Sequence, residues 1–444
     1  MKALRLVSRT KLYWGLLIIC LIGALTSPHT SSGSNIFLSY ANLTDVLRQV
    51  SITGLVATGM TMVILLGGID LSVGSVMGFS TVICAMLLTK SGWTAASAMG
   101  VPVATIVGGA AVALVARFIF IGLAHRHDVG AGRRREITLS LWRSAGIPAL
   151  LGVLAAIAIA WWTVSQVTTK FGVLGVLLVA PSLALLLGAI NGLLIVTGRL
   201  QPFIATLAMM VSALGISRLT AGQDNAVVPV YTGTNATEAF ELLRSMLWGV
   251  LPVPSVFFLA AIILFGAILR FTTFGRYAYA IGGNIEAAKL SGIKVAQVQL
   301  TAYLLSGLLA GIAGVLFVAQ YRQGKPDAGA GLELDAIAAV VIGGTSLMGG
   351  RGGLAGTFVG VLIFGLLSDI LQLQNIDSNV QLLMKGLIIV CTVLVQEQNL
   401  GQLFARWRLS RSPQASVDPK PAESDRLPSA AKAQFAREDL DEAS

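Results

Sequence analysis

The chain has 444 residues, of which only 12% are charged and 55% are apolar, and it carries 49 glycines and a net charge of +10. Soluble chains average roughly 25% charged residues, so the composition excludes a large soluble enzyme. It points to an all-α polytopic membrane protein, a class in which glycine is more frequent than in soluble helices. The cysteines Cys20, Cys84 and Cys391 lie inside apolar runs, which argues against a disulfide framework and against a cysteine metal site.

A helical crossing of a bilayer core takes roughly 17 to 25 apolar residues, and the chain offers about ten to twelve such segments. They lie near 13–27, 46–67, 69–89, 99–124, 147–165, 173–197, 201–221, 246–269, 297–318, 334–348, 353–374 and 381–396. The first follows Met1-Lys2-Ala3-Leu4-Arg5 and lacks a small-residue cleavage site, so it reads as a retained anchor rather than a signal peptide.

Short cytoplasmic loops collect Lys and Arg. Lys2, Arg5, Arg9 and Lys11 precede the first span and place the N-terminus inside, whereas 28–45 has no Lys or Arg and reads as outside. Counting onward, Arg126, Arg133, Arg134 and Arg135 fall inside, as do Arg270, Arg276, Lys289, Lys294, Arg351, Arg406, Arg408 and Arg411. The loop at 222–245 falls outside and sets Arg244 against Asp224, Glu238 and Glu241; Lys90, Lys170, Arg322 and Lys325 are exceptions to the pattern. Both termini are expected in the cytoplasm. The positive charge is spread over these loops and not gathered with aromatics on one face, which excludes a nucleic-acid binder. The division that follows is an N-terminal end with first span and outer loop (1–42), a transmembrane body (43–400), and a tail (401–444) whose Pro-, Ser- and charge-rich composition predicts disorder.

Helices interrupt themselves at two places. Gly67-Gly68-Ile69-Asp70-Leu71-Ser72-Val73-Gly74 breaks an apolar run with a glycine pair and a carboxylate. Backbone groups freed at such a break need partners in protein or in a wet cavity. Asp70 costs roughly 2.5–3.5 kcal/mol at a helix centre, so it does not face lipid. It reads as a cap for the helix starting near Leu71 or Ser72, or as a substrate contact, and one carboxylate can serve both. The second break, Gly343-Gly344-Thr345-Ser346-Leu347-Met348-Gly349-Gly350, aligns with the first at a spacing of 276, pairing Gly67 with Gly343, Gly68 with Gly344 and Asp70 with Ser346. Paired glycine-broken segments mark a transport path between repeats. Gly67, Gly68, Asp70, Ser72, Gly343, Gly344, Thr345 and Ser346 are therefore the candidate path positions.

Asp369 and Lys385 lie at similar depth in the last two spans, and a structural ion pair is expected between them. His29, His125 and His127 all lie outside the spans, and no His/Asp/Glu chain crosses the membrane, which weighs against a proton-coupled mechanism. The chain carries no phosphate-binding G-x-x-x-x-G-K-[ST] sequence, no metal-ligand spacing and no Ser/His/Asp grouping.

Between the spans at 246–269 and 297–318, the cytoplasmic loop (270–296) holds a Gly282-Gly283 turn followed by Asn284, which can cap a short helix. Ile285, Ala288 and Gly292 recur on one face of that helix. It reads either as a docking element for a partner's groove or as an amphipathic connector.

These residues resemble a known family. Glu286-Ala287-Ala288 with Gly292 is similar to the coupling-loop signature of bacterial ABC importer permeases. Together with Gly67 to Gly74, Gln201-Pro202-Phe203-Ile204-Ala205-Thr206-Leu207 and Leu334-Asp335-Ala336-Ile337-Ala338-Ala339-Val340-Val341-Ile342-Gly343-Gly344-Thr345-Ser346-Leu347, it resembles the monosaccharide branch of ribose, xylose and galactose type. The resemblance covers roughly 42–115 and 173–396. It implies a type II importer permease fold in the bacterial inner membrane, with Gly283, Asn284, Glu286, Ala287, Ala288 and Gly292 as the ATPase-coupling loop. It also implies an ABC ATPase subunit that binds the ATP, an extracytoplasmic sugar-binding protein, a second permease copy and a monosaccharide as cargo; the permease itself holds no cofactor or metal and is not an enzyme. Two departures stand out. The longer Ile-x-Leu-Pro element of other permeases is absent, where Ala302-Tyr303-Leu304-Leu305 stands instead. Residues 118–170 look inserted around the basic loop, with Trp142, Trp161 and Trp162 suited to membrane interfaces. The rival readings are a permease for branched-chain amino acids or an autoinducer, an ion-coupled secondary transporter using Asp70, and a membrane scaffold.

Overall fold

In a bilayer, a chain satisfies its backbone polar groups within helices or in a closed barrel, and this chain does so with helices. The computed structural model describes residues 2–89, 147–166, 173–222 and 226–397. Residues up to Val393 form one unit; a second runs from Leu394, of which the described part is the end of the last helix. The expected span at 99–124, the basic loop with Arg126, Arg133, Arg134 and Arg135, His125, His127, Trp142, Lys90, Lys170, Asp224 and the tail 401–444 lie outside the described residues, as does the side chain of Cys391.

The helices are α1 (Lys2–Thr26), α2 (Tyr40–Leu65), α3 (Val73–Thr89), α4 (Ile147–Gln166), α5 (Val173–Val196), α6 (Pro202–Ala221), α7 (Val253–Phe271), α8 (Thr273–Gly283), α9 (Ile285–Leu290), α10 (Val295–Tyr321), α11 (Leu332–Ile342), α12 (Leu354–Leu373) and α13 (Ser378–Glu397). Among the described residues, six of these helices are long and apolar enough to cross a membrane: α2, α5, α6, α7, α10 and α12. Shorter apolar stretches lie in α1, α3, α4 and α13. The protein is an all-α polytopic membrane protein. Local chemistry sets several helix starts: Ser39 accepts from the Asn42 N–H at the head of α2, and Pro202 occupies the first turn of α6, where its missing N–H costs nothing.

Two expected spans differ. Residues 246–252 are not helical, because Met246–Leu247 (β2) pairs with Leu251–Pro252 (β3). Their turn, closed by the Val250 N–H on the Leu247 carbonyl, takes positive φ at Trp248 and Gly249, as a primed hairpin turn requires. The expected span at 334–348 contains only α11, whose 11 residues reach about 16 Å, roughly half of a bilayer core.

The centre of the bundle is α10, packed by α5, α2 and α3. Small residues bring these axes close. A Cβ on Gly188 of α5 would lie 2.3 Å from the Tyr303 carbonyl oxygen, and one on Gly314 would lie 2.7 Å from that of Met77. Such small-residue seams are how helices associate where lipid is as apolar as they are. The chain between α10 and α11 then runs as irregular backbone along α3. Gly324 meets Thr81 and Ala85, Pro326 meets Gly78, and Gly329 meets Gly74. Thr81 Oγ1 donates to the Lys325 carbonyl (2.8 Å) and accepts from its N–H (3.0 Å), which satisfies part of that backbone.

At the end opposite α8, Val228–Pro229 (β1) pairs with Gln323–Gly324 (β4). Here Arg322, one of the exceptions to the basic-loop pattern, donates to Glu241 at 3.0 Å. Lys325 Nζ lies 3.3 Å from Asp327 Oδ1, a charge contact that leaves that oxygen without a hydrogen bond. Glu241 also accepts from Arg244 and Thr232. Slight burial would raise its carboxyl, but the Arg322 and Thr232 hydrogen bonds and the charges of Arg322 and Arg244 outweigh it and hold the pKa below the usual value. A carboxylate depressed in the folded state contributes fully above its unfolded pKa of about 4.3 and loses that contribution as pH falls further. Protease protection of the 226–252 loop should therefore persist to about pH 4.5 and fall on further acidification, and Glu241→Gln should remove this acid-dependent step.

Candidate functional site

Both helix breaks end in the same backbone motif. After α2, Gly67 takes φ +77 and the Gly68 N–H returns to the Val63 carbonyl; after α11, Gly344 takes φ +85 and the Thr345 N–H returns to Val340. These are glycine-closed helix ends, where a left-handed residue lets freed carbonyls be recaptured. The structural equivalent of Gly67 is thus Gly344 and not Gly343, one residue off the 276 spacing. Asp70 then corresponds to Leu347, so the pairing of Asp70 with Ser346 is a slip of register in a Gly- and Leu-rich alignment.

Asp70 is 1% exposed. One carboxyl oxygen accepts from the Ser72 N–H (3.1 Å) and the Ser72 hydroxyl (2.6 Å), and the other accepts from the Ser306 hydroxyl of α10 (2.8 Å). Asn191 of α5 donates to Ser72 Oγ at 2.8 Å, and Thr206 of α6 reaches the Ile69 carbonyl at 3.3 Å. Asp70 therefore holds Ser72, the residue before α3 begins at Val73 rather than at the expected Leu71 or Ser72, and ties it to α10, with Ser72 extending the tie to α5. Asn191 Oδ1 and the Tyr303 hydroxyl are buried and take no hydrogen bond among the described residues, and a Cβ on Gly68 would lie 2.6 Å from that hydroxyl. Sequence reading missed Ser306, Asn191 and Tyr303. Asn191 carried a signal, as an amide inside an apolar helix; a serine and a tyrosine in α10 did not.

The two breaks meet. The Gly350 N–H donates to the Leu65 carbonyl at 3.0 Å, and Gly349 approaches the Gly67 nitrogen so closely that a Cβ there would lie 2.8 Å from it. The end of α8 enters the same point: a Cβ on Gly282 would sit 1.9 Å from the Leu65 carbonyl oxygen and 2.3 Å from the Gly350 nitrogen. Tyr279 of α8 also donates to the Gly352 carbonyl at 3.0 Å. Gly282-Gly283 is thus not a turn but the last stretch of α8, and Gly282 is glycine because backbone must pass there. Thr345 is fully buried, its hydroxyl accepting from the Gly353 N–H at 3.4 Å, and Ser346 serves its own turn by accepting from the Met348 N–H. Gly343 lies against Gly356 at the head of α12.

Asn284 caps α9 as the sequence predicts, its Oδ1 accepting from the Glu286 and Ala287 N–H groups at 3.0 Å each. Gly292 closes the helix with φ +79, and the Ile293 N–H returns to Ala288. Ala288 is buried against the protein itself and does not form an outward face of small residues. The outward side carries the Glu286–Lys289 pair, 2.7 Å apart, and Leu290, which is 90% exposed.

The expected Asp369–Lys385 pair does not form. Asp369 accepts from Asn42 of α2 at 2.9 Å, whereas Lys385 reaches Asp335 of α11 at 2.9 Å across the Phe364 ring. Asp369 lies five residues beyond Phe364 on α12, about 140° around the axis, so equal depth does not bring it to the face that Lys385 meets.

The family described as "Branched-chain amino acid transport system / permease component" matches residues 42–126 and 142–393. Among curated relatives, the ribose import permease protein RbsC of Bacillus subtilis (strain 168) is 34% identical over 394 residues, covering 87% of this chain and 92% of its own length. RbsC of Escherichia coli (strain K12) is 34% identical over 386 residues, with 86% and 92% covered. The xylose transport system permease protein XylH of Escherichia coli (strain K12) is 32% identical over 380 residues, with 85% and 90% covered. No solved structure matches.

The hydrogen bonds around Asp70 carry a stability consequence. Asp70→Ala leaves the buried Ser72 and Ser306 hydroxyls without their acceptor, at about 1–3 kcal/mol for each group. Thermal unfolding in detergent should show a lower midpoint for Asp70→Ala and a smaller drop for Asp70→Asn, which keeps one acceptor oxygen.

Proposed function

Since the chain belongs to the family of transport-system permease components, we propose that it is the membrane-spanning subunit of an ATP-driven importer for a monosaccharide. A separate ATPase subunit binds the ATP and docks on α9, an extracytoplasmic sugar-binding protein delivers the cargo, and a second copy of the chain completes the path. The permease needs no cofactor of its own. In this reading the α8–α9 end and both termini face the cytoplasm, as the basic loops require.

The observation that carries the cargo class is the likeness to ribose and xylose permeases over about nine-tenths of their length. The bundle supports it. A sugar is neutral and needs polar groups without fixed charge, and the interior carboxyls Asp70, Asp335 and Asp369 each have a protein partner. The family description names branched-chain amino acids, the rival cargo that labelled-leucine uptake separates from a sugar. An ion-coupled carrier would need Asp70 open to its ion, whereas both its oxygens accept bonds from serines.

Energy enters through α9. Its outward side is an exposed ion pair beside an exposed leucine, a polar rim around an apolar anchor. Driving the path between two states requires that the ATPase hold α9 differently in each, and α8 passes that difference to both breaks at Gly282.

Cells that lack this permease but keep its ATPase and binding protein should regain uptake of labelled ribose or xylose, and not of leucine, when the chain is restored. ATP depletion should abolish that uptake. Leu290→Ala should cut co-purification of the ATPase roughly tenfold, the loss expected for an interface anchor of about 1–2 kcal/mol, while membrane insertion stays intact. Leucine uptake, or undiminished co-purification, would contradict the reading.

A further inference from the structure

A second feature lies on the outer flank of the α8 end. The last turns of α7, the outward side of α8 and the head of α12 enclose an open groove of about 730 Å³. Its wall is apolar, built from Ile262, Ile263, Gly266 and Leu354, and its rim carries Arg270 and Arg276. Gly266 leaves open space, with nothing within 4 Å of where a Cβ would stand. The surrounding face of α7 is exposed and apolar, with Ile263 70%, Leu264 57% and Phe271 72% exposed, which is a surface made for lipid tails.

The two arginines have no carboxylate within ion-pair distance among the described residues. Arg270 instead stacks over the Phe271 ring, 5.4 Å from its centre. A guanidinium fork matches phosphate oxygens in two-point geometry. An apolar slot that continues into the lipid-facing surface, with two cations at the level where a helix leaves the bilayer, is complementary to one molecule with two parts: an acyl chain and a phosphate headgroup of net negative charge. Basic pockets between helices at a membrane surface take such headgroups.

We propose that this groove is a binding site for an anionic phospholipid, with an acyl chain along Ile263 and Gly266 and the phosphate between Arg270 and Arg276. The lipid would bridge α7, α8 and α12 beside the Tyr279–Gly352 hydrogen bond, and so brace α8 against the head of α12. The site depends on the chain crossing a bilayer and not on the cargo or the ATPase.

The test uses the full chain in bilayer discs of phosphatidylethanolamine with one-fifth phosphatidylglycerol, then transfer to detergent and native mass spectrometry of the lipid retained. The wild type should retain phosphatidylglycerol over phosphatidylethanolamine, and each of Arg270→Gln and Arg276→Gln should lower that preference about fivefold. Gly266→Leu, which fills the slot and keeps both charges, should lower retention of phosphatidylglycerol as well. Arg218→Gln, at an exposed arginine in the last turn of α6, should change nothing. Equal retention of the two lipids would overturn the proposal, as would a preference unmoved by the arginine variants. Displacement by millimolar inorganic phosphate would also overturn it, as the mark of a bare anion site. Loss of ATPase binding in the arginine variants with lipid retention unchanged would show a protein-docking face and overturn it too.

Discussion

A helix that stops inside a bilayer leaves carbonyls that lipid does not satisfy, and the rest of this structure is arranged around how they are met. The Leu65 carbonyl at the end of α2 takes the N–H of Gly350, a residue of the other break. That exchange fixes two irregular segments against each other at backbone distance. It leaves so little room that α8 passes the same point only with glycine at 282, and the second break turns there only with left-handed glycines at 349 and 350. A side chain would separate all three segments. The density of glycine is here the consequence of bringing three pieces of backbone to one point.

Above this contact the chain needs a joint that is firm but polar, and the Asp70 cluster supplies it. The irregular residues 66–72 carry the chain from the end of α2 to the start of α3, and Asp70, Ser72, Asn191 and Ser306 tie that start to α5 and α10. An isolated carboxyl inside a bundle is costly, and hydrogen bonds from serine hydroxyls offset part of that cost. The Asn191 oxygen and the Tyr303 hydroxyl, which take no hydrogen bond among the described residues, sit beside the same cluster. The first break is held to the second by backbone and to α5 and α10 by side chains, with α8 meeting the backbone contact.

Much of this was legible in the sequence because it rests on local chemistry. The break at Gly67-Gly68-Ile69-Asp70 and the Asn284 cap each follow from residues within a few positions of one another, and the structure shows Asn284 accepting from the first N–H groups of its helix, whereas Asp70 accepts from Ser72, one residue before α3 begins. What failed needed knowledge of which face meets which. Depth along the membrane pairs Asp369 with Lys385, but rotation about α12 sends Asp369 to Asn42 and leaves Lys385 to Asp335. The spacing of 276 is off by one because glycine identity outweighs helix-end geometry in a short alignment. Gly282-Gly283 reads as a turn when only its own segment is seen; its reason is the Leu65 carbonyl, more than two hundred positions away in the chain.

In the proposed importer, α8 drives the breaks through the backbone contact at Gly282. The direct measurement is sugar uptake per ATP hydrolysed by the importer reconstituted in vesicles with its ATPase and binding protein, comparing Gly282→Ala with Gly283→Ala. A Cβ at 282 meets the Leu65 carbonyl, and one at 283 meets nothing within 4 Å. Gly282→Ala should assemble and hydrolyse ATP but move several-fold less sugar per ATP, while Gly283→Ala should match the wild type. Wild-type uptake per ATP in Gly282→Ala, or equal losses in both variants, would contradict it.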